Sequence, residues 1–173
     1  KKIMKRLKFT GPLRTLTVAL LCGGILISLP AMGGIDEEKK KARRQVDLTV
    51  QSLRELIRPT AKRIEYAARE LARLGDVASD PLVDYSTDPE PAIRRLALVA
   101  LSKSGSTRFI PVFVRALADP VPNVVIDAAR ALAPHHGDWP TRALVRYLGH
   151  RDPLVRQVVA GALDKRPADV IQA

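Results

Sequence analysis

The chain has 173 residues and a formal net charge of +11, with 46% hydrophobic and 27% charged residues, 4% aromatics and a single cysteine. That length suits one small domain with an N-terminal extension, and so few aromatics argue against base-stacking surfaces or an aromatic ligand cage. Residues 1–44 hold eleven Lys and Arg against three acids, leaving 18 basic against 15 acidic residues elsewhere; the remainder lacks the concentrated positive face of a nucleic-acid binder, and no nucleic-acid partner is expected.

In chain order, Lys1, Lys2, Lys5, Arg6, Lys8 and Arg14 precede an uncharged stretch from Thr15 to Ile35. Its 21 residues include Leu16, Val18, Leu20, Leu21, Ile25, Leu26, Ile27 and Leu29. A helix of that length crosses the ~30 Å hydrocarbon core, so the segment, with its basic N-terminus over residues 1–35, reads as a membrane anchor in contact with lipid. The small residues of Ala31-Met32-Gly33 also fit a signal cleavage site, so an exported, cleaved chain remains the alternative. Leu21 is larger than the residue that usually precedes a lipidated cysteine, which disfavours an anchor through Cys22.

Six basic residues before the stretch and five after it (Lys39, Lys40, Lys41, Arg43, Arg44) make the positive-inside count a weak guide. The order of charge, apolar run and small residues places the N-terminus in the cytoplasm. The expected location is a single pass of a bacterial inner membrane with the folded domain in the periplasm, or, after cleavage, the soluble periplasm. The reverse topology would lay Lys39 to Arg44 against an anionic inner leaflet. A lone cysteine in the apolar stretch leaves the redox compartment undetermined.

Residues 36–75 read as a helical linker or N-terminal cap. Val46, Val50, Leu53, Ile57, Ala61, Ile64, Ala68 and Leu71 recur at intervals of four and three along one stripe. Pro59 interrupts it, as a kink in one helix or as the junction of two. A cap packed on the first repeat is preferred to a partner-binding coiled coil, because fewer than four clean heptads are present.

Residues 76–173 carry an internal repeat. Ile93-Arg94, Val124-Val125 and Val155-Arg156 open three copies of one helix, 31 residues apart, and Leu101, Leu132 and Leu163 close them. Ala97 keeps step with Ala128, and Ala100 with Ala131 and Ala162. Asp88-Pro89, Asp119-Pro120 and Asp152-Pro153 precede the copies, as expected of capping carboxylates and an early proline, the third loop being two residues shorter. A fainter helix comes before each later copy: Phe113 to Leu117 aligns with Leu144 to Leu148, and Val77 to Tyr85 would lead the first, with Gly105 or Gly137 breaking the chain between helices. The unit is helix, turn, helix.

These residues resemble HEAT-like repeats of the phycobilin-lyase type over about residues 76–173. The resemblance implies an all-α fold, a short right-handed α-solenoid of helix pairs, here preceded by a long helical segment and the N-terminal transmembrane or signal helix. Such repeats occur in scaffolds, in lyase subunits and as appendages of enzymes, so the resemblance bears on fold more than on activity. Family members that are metal hydroxylases use His-Glu pairs as iron ligands, and this chain has none. A lone helix pair cannot bury its apolar face, so the ends of the short stack are expected to be covered by something else.

The sequence offers little chemistry. His135, His136, His150 and Asp138 are metal-ligating types, but the first two are adjacent in a turn and read as solvent-facing. The Asp-Pro carboxylates recur with the repeat, which marks them as scaffold rather than acid and base. No catalytic residue, metal ligand or cofactor is therefore assigned. The expectation is a non-enzymatic, membrane-anchored accessory subunit that docks on integral subunits of a larger membrane complex, photosynthetic or respiratory. Arg94, Arg95, Val125, Arg130, Arg156 and Gln157 are expected to face that partner. The alternative is a lyase-like or exported subunit that holds a chromophore or cofactor during its attachment to another protein.

Overall fold

In a computed structural model, the described residues are 32–56 and 59–164, with side chains from residue 34 onward. The anchor residues Leu16 to Leu29 lie outside them, as do Ile57 of the predicted stripe and everything after Asp164. The chain divides into two compact units, residues 1–38 and 39–173. Among the described residues no helix is long and apolar enough to cross a membrane.

Eight α-helices and no strands occur among the described residues: α1 (Met32–Arg54), α2 (Ala61–Ala72), α3 (Ser79–Tyr85), α4 (Pro91–Ser102), α5 (Ile110–Ala116), α6 (Pro122–Leu132), α7 (Asp138–Val145) and α8 (Pro153–Asp164). The even helices form a row in which α2 packs on α4, α4 on α6 and α6 on α8; α3 lies against α4, α5 against α6 and α7 against α8. This is an α-solenoid, in which each pair buries its apolar face against its neighbours. The row begins at α2, inside the segment read as linker or cap. Two separate helices meet at Pro59, and Thr60 starts the second by accepting the Arg63 amide. Val46, Val50 and Leu53 of α1 and Ile64, Ala68 and Leu71 of α2 are buried as the stripe predicts, whereas Ala61, at the first position of α2, is exposed.

The 31-residue period has a sharper basis than the Asp-Pro pairs suggest. Pro91, Pro122 and Pro153 stand at the first helical position of α4, α6 and α8, where a missing N–H costs nothing and a fixed φ favours the helix. In the first two copies the aspartate lies two residues before the cap residue rather than at it. Asp88 Oδ1 accepts the Glu90 amide and Asp119 Oδ1 accepts the Val121 amide, each at 2.9 Å, and Glu90 and Val121 are extended. The shorter third loop puts Asp152 directly at the cap, accepting from Leu154 at 2.8 Å and Val155 at 3.4 Å. The expected cap therefore holds for Asp152, while Asp88 and Asp119 order the turn leading into the helix.

The core follows the same step. Ala97 and Ala128 are fully buried, and small side chains there let α4 and α6 approach closely. Leu82, Phe113 and Leu144, again 31 apart, are the buried anchors of α3, α5 and α7. Between α4 and α5 the chain reverses at Gly105, whose φ of +64° lies in the left-handed region that a Cβ disfavours.

Candidate functional site

Inter-repeat contacts account for half of the residues expected to face a partner. Arg94 on α4 reaches across to the turn before α6, donating through Nε to Asp119 Oδ2 at 2.7 Å and through Nη2 to Asp119 Oδ1 at 2.9 Å. Its Nη1 donates to the carbonyls of Asp88 and Pro89 at 2.8 and 3.0 Å, fixing the guanidinium in place. Both side chains of this bidentate pair are almost buried, at 11% and 9% exposure. One repeat earlier, Arg54 of α1 holds Asp88 in the same sense, through Oδ2. Each aspartate thus orders its own turn and also receives an arginine from the preceding helix pair.

Arg95 lies beside this ladder and donates through Nε to Asp127 Oδ2 of α6 at 2.7 Å; Arg130 stands 3.8 Å from the other oxygen. Asp127 occupies a register position that holds buried Leu96 one copy earlier and Val158 one copy later. Burial pushes its carboxyl up from the ordinary range, against the pull of Arg95. Lys103, at the C-terminal cap of α4, donates to Glu65 of α2 at 2.9 Å, and this bond holds the Glu65 carboxyl below its usual range.

Three of the six expected partner residues are therefore not on a free surface. Val125 is completely buried, because the position that carries arginine in the copies on either side is apolar here and packs between α6 and its neighbours. Arg94 and Arg95 are committed to Asp119 and Asp127. The remaining three, Arg130, Arg156 and Gln157, are exposed.

The register explains this division. Residues 94, 95 and 98 of α4 and 125, 126 and 129 of α6 are the positions on which the next even helix lies; Leu98, Val125, Ile126 and Ala129 are buried there. Their counterparts on α8, 62 and 31 residues on, are Arg156, Gln157 and Ala160, all exposed. The end of the companion helix and the turn after it agree: Val145 is exposed, and Leu148 is 41% exposed where Leu117, one repeat earlier, is 1% exposed. Among the described residues, then, the stacking surface is open at α8. This open face is the candidate site for a partner.

At the first helix pair, α1 and α2 line a groove of ≈ 610 Å³ with Leu53, Leu56, Tyr66 and Ala67 on its apolar side and Lys62 and Arg63 at its rim. Glu70, paired with Arg73 at 2.9 Å, also lines it. The histidines depart from the reading of a solvent-facing turn: His136 is exposed, but His135 is buried beside the Phe113 ring, with centroids 6.2 Å apart. His150 uses Nδ1 to accept the Asp152 amide at 3.0 Å, which helps shape the turn before α8. Among the described residues no group of three or more His, Cys, Asp or Glu is placed to hold a metal ion.

Sequence reasoning missed Asp127 and Asp119 as inter-repeat partners. For Asp127 a signal was available: a carboxylate at a position that is apolar in both neighbouring copies needs a buried counterion.

No curated protein matches the chain. Among solved structures, the crystal structure of an engineered protein is similar at 21% identity and a TM-score of 0.47, over 80% of this chain; the chain spans 60% of the length of that structure. The HEAT repeat family matches residues 50–133, from the last turn of α1 to the end of α6, and so takes in the α1–α2 junction ahead of the repeat seen in the sequence. The helix-turn-helix row and its 31-residue step agree with that match, which supports HEAT-like repeats over the matched residues.

Proposed function

We propose that the chain is a non-enzymatic scaffold that docks on a larger membrane assembly, held at the bilayer by the apolar segment from Thr15 to Ile35 and engaging its partner through the open stacking face of α8. The observation that carries the docking part is the exposure of Arg156, Gln157 and Ala160 at positions that are buried in α6 and that in α4 are either buried, at Leu98, or held in inter-repeat ion pairs, at Arg94 and Arg95. HEAT repeats supply extended surfaces to protein partners, and an uncovered stacking face leaves contact-forming groups available to one. The anchoring part rests on the length and apolarity of residues 15–35 and on the basic residues before them. The periplasmic side of a bacterial inner membrane remains the preferred location of the repeats.

Extraction of native membranes in mild detergent, followed by a native gel and intact-mass measurement, tests both parts. The proposal expects a mass that includes the apolar stretch, together with integral membrane subunits that co-migrate. A chain that starts near Gly34 and migrates alone would refute it.

A further inference from the structure

The open face of α8 carries one group whose intended contact can be read from its own earlier copy. Arg156 adopts the Arg94 pose: Nη1 donates to the carbonyls of His150 and Arg151 at 2.7 and 3.1 Å, six and five residues back, as Arg94 does to Asp88 and Pro89. In Arg94 this arrangement turns the Nε and Nη2 edge outward, where both oxygens of Asp119 meet it. In Arg156 the same edge has no acceptor among the described residues, and the side chain is exposed. A guanidinium held by two backbone carbonyls has already lost its rotamer freedom, so it is a preorganised receptor for a planar carboxylate.

We propose that Arg156 receives the aspartate of an interhelical Asp-Pro turn belonging to a helical-repeat partner protein, which continues the stack across the open face as Asp119 does within the chain. This rests on the docking reading above and adds the chemistry of the contact. Ala160 fits it, since Ala129 at the same position lies fully buried beneath a stacked helix. A second copy stacked head to tail does not fit. The sequence just before its first even helix, residues 56–60, holds no Asp or Glu to fill that edge.

The test follows the Arg156 side-chain Nε–H by NMR in the full chain, with the blocked hexapeptide Ala-Asp-Pro-Val-Pro-Asn, the sequence of residues 118–123, as probe. The expected result is a saturable shift at Arg156 in the millimolar range and none at Arg94, whose edge is filled. Arg156→Lys should lose the response because an ammonium lacks the two-pronged edge. The same peptide with Asn for Asp should give no shift. A response of equal size to sodium acetate would show a carboxylate site without turn recognition, and an Arg156 signal that does not move would show an edge already occupied; either overturns the proposal. Neither result bears on whether membrane subunits co-purify, so the two readings fail separately.

Discussion

Replacing Asp127 should destabilise the stack, and replacing it together with Arg95 should not. Asp127 is 5% exposed and Arg95 19% exposed, so Asp127→Leu strands a mostly buried guanidinium. Fully buried orphaned charges cost ~3–5 kcal/mol; with the residual exposure of Arg95 the expected loss is about 2–3 kcal/mol. For a domain of this size that lowers Tm by roughly 6–12 °C. The compensating variant is suggested by the repeats themselves. Position 95 corresponds to Ile126, and position 127 to Leu96 and Val158, so Arg95→Ile with Asp127→Leu installs residues the fold already accepts there. Exchange of a buried pair for apolar residues is commonly neutral or better, and the double variant should unfold within about 1 kcal/mol of wild type. Urea unfolding of the four proteins closes the cycle. A coupling below ~0.5 kcal/mol would mean that the two side chains act independently and that the ion pair does not set the register of α4 on α6.

The pH dependence of Asp127 has a definite sign. Its folded pKa lies above the unfolded one, so the folded state binds the extra proton, and wild type should gain stability relative to Asp127→Asn as pH falls through the folded pKa towards the unfolded value near 3.8. A difference that is flat between pH 7 and 4 would contradict the burial argument. Glu65, with its lowered carboxyl, acts in the opposite direction: the contribution of its bond to Lys103 is present above the ordinary value of 4.5 and lost as acid titrates it, so Glu65→Gln should flatten the acid limb of the unfolding profile. Asp119→Asn should retain the turn while losing the charged ladder contact, and Asp119→Ala should lose both, costing about 1 kcal/mol more by thermal unfolding. Phe113→Ala, at the centre of α5, should cost ~3–5 kcal/mol, and a loss under 1 kcal/mol would mean that the odd helices are not part of the cooperative core.

Much of the fold is legible in one dimension because a solenoid repeats its local rules. The step of 31 residues, the paired alanines and the closing leucines identify the buried side of α4, α6 and α8 without any long-range information, and local capping chemistry locates the turns. The extension of the row to α2 is not legible in that way. Ile64, Ala67, Ala68 and Leu71 lie 29 rather than 31 residues before Ile93, Leu96, Ala97 and Ala100, and only their burial shows them to be the same helix face.

For the site, sequence determined which residue types recur, and tertiary structure decided where they point. Arg94 and Arg156 stand at one register position, yet Arg94 is spent on the neighbouring turn while Arg156 is open, since what a helix-surface residue meets depends on whether another helix follows in space. Val125, the middle member of that series, is core for the same reason. A one-dimensional period specifies the face of each helix; stacking alone decides whether that face is an interior seam or an exposed end.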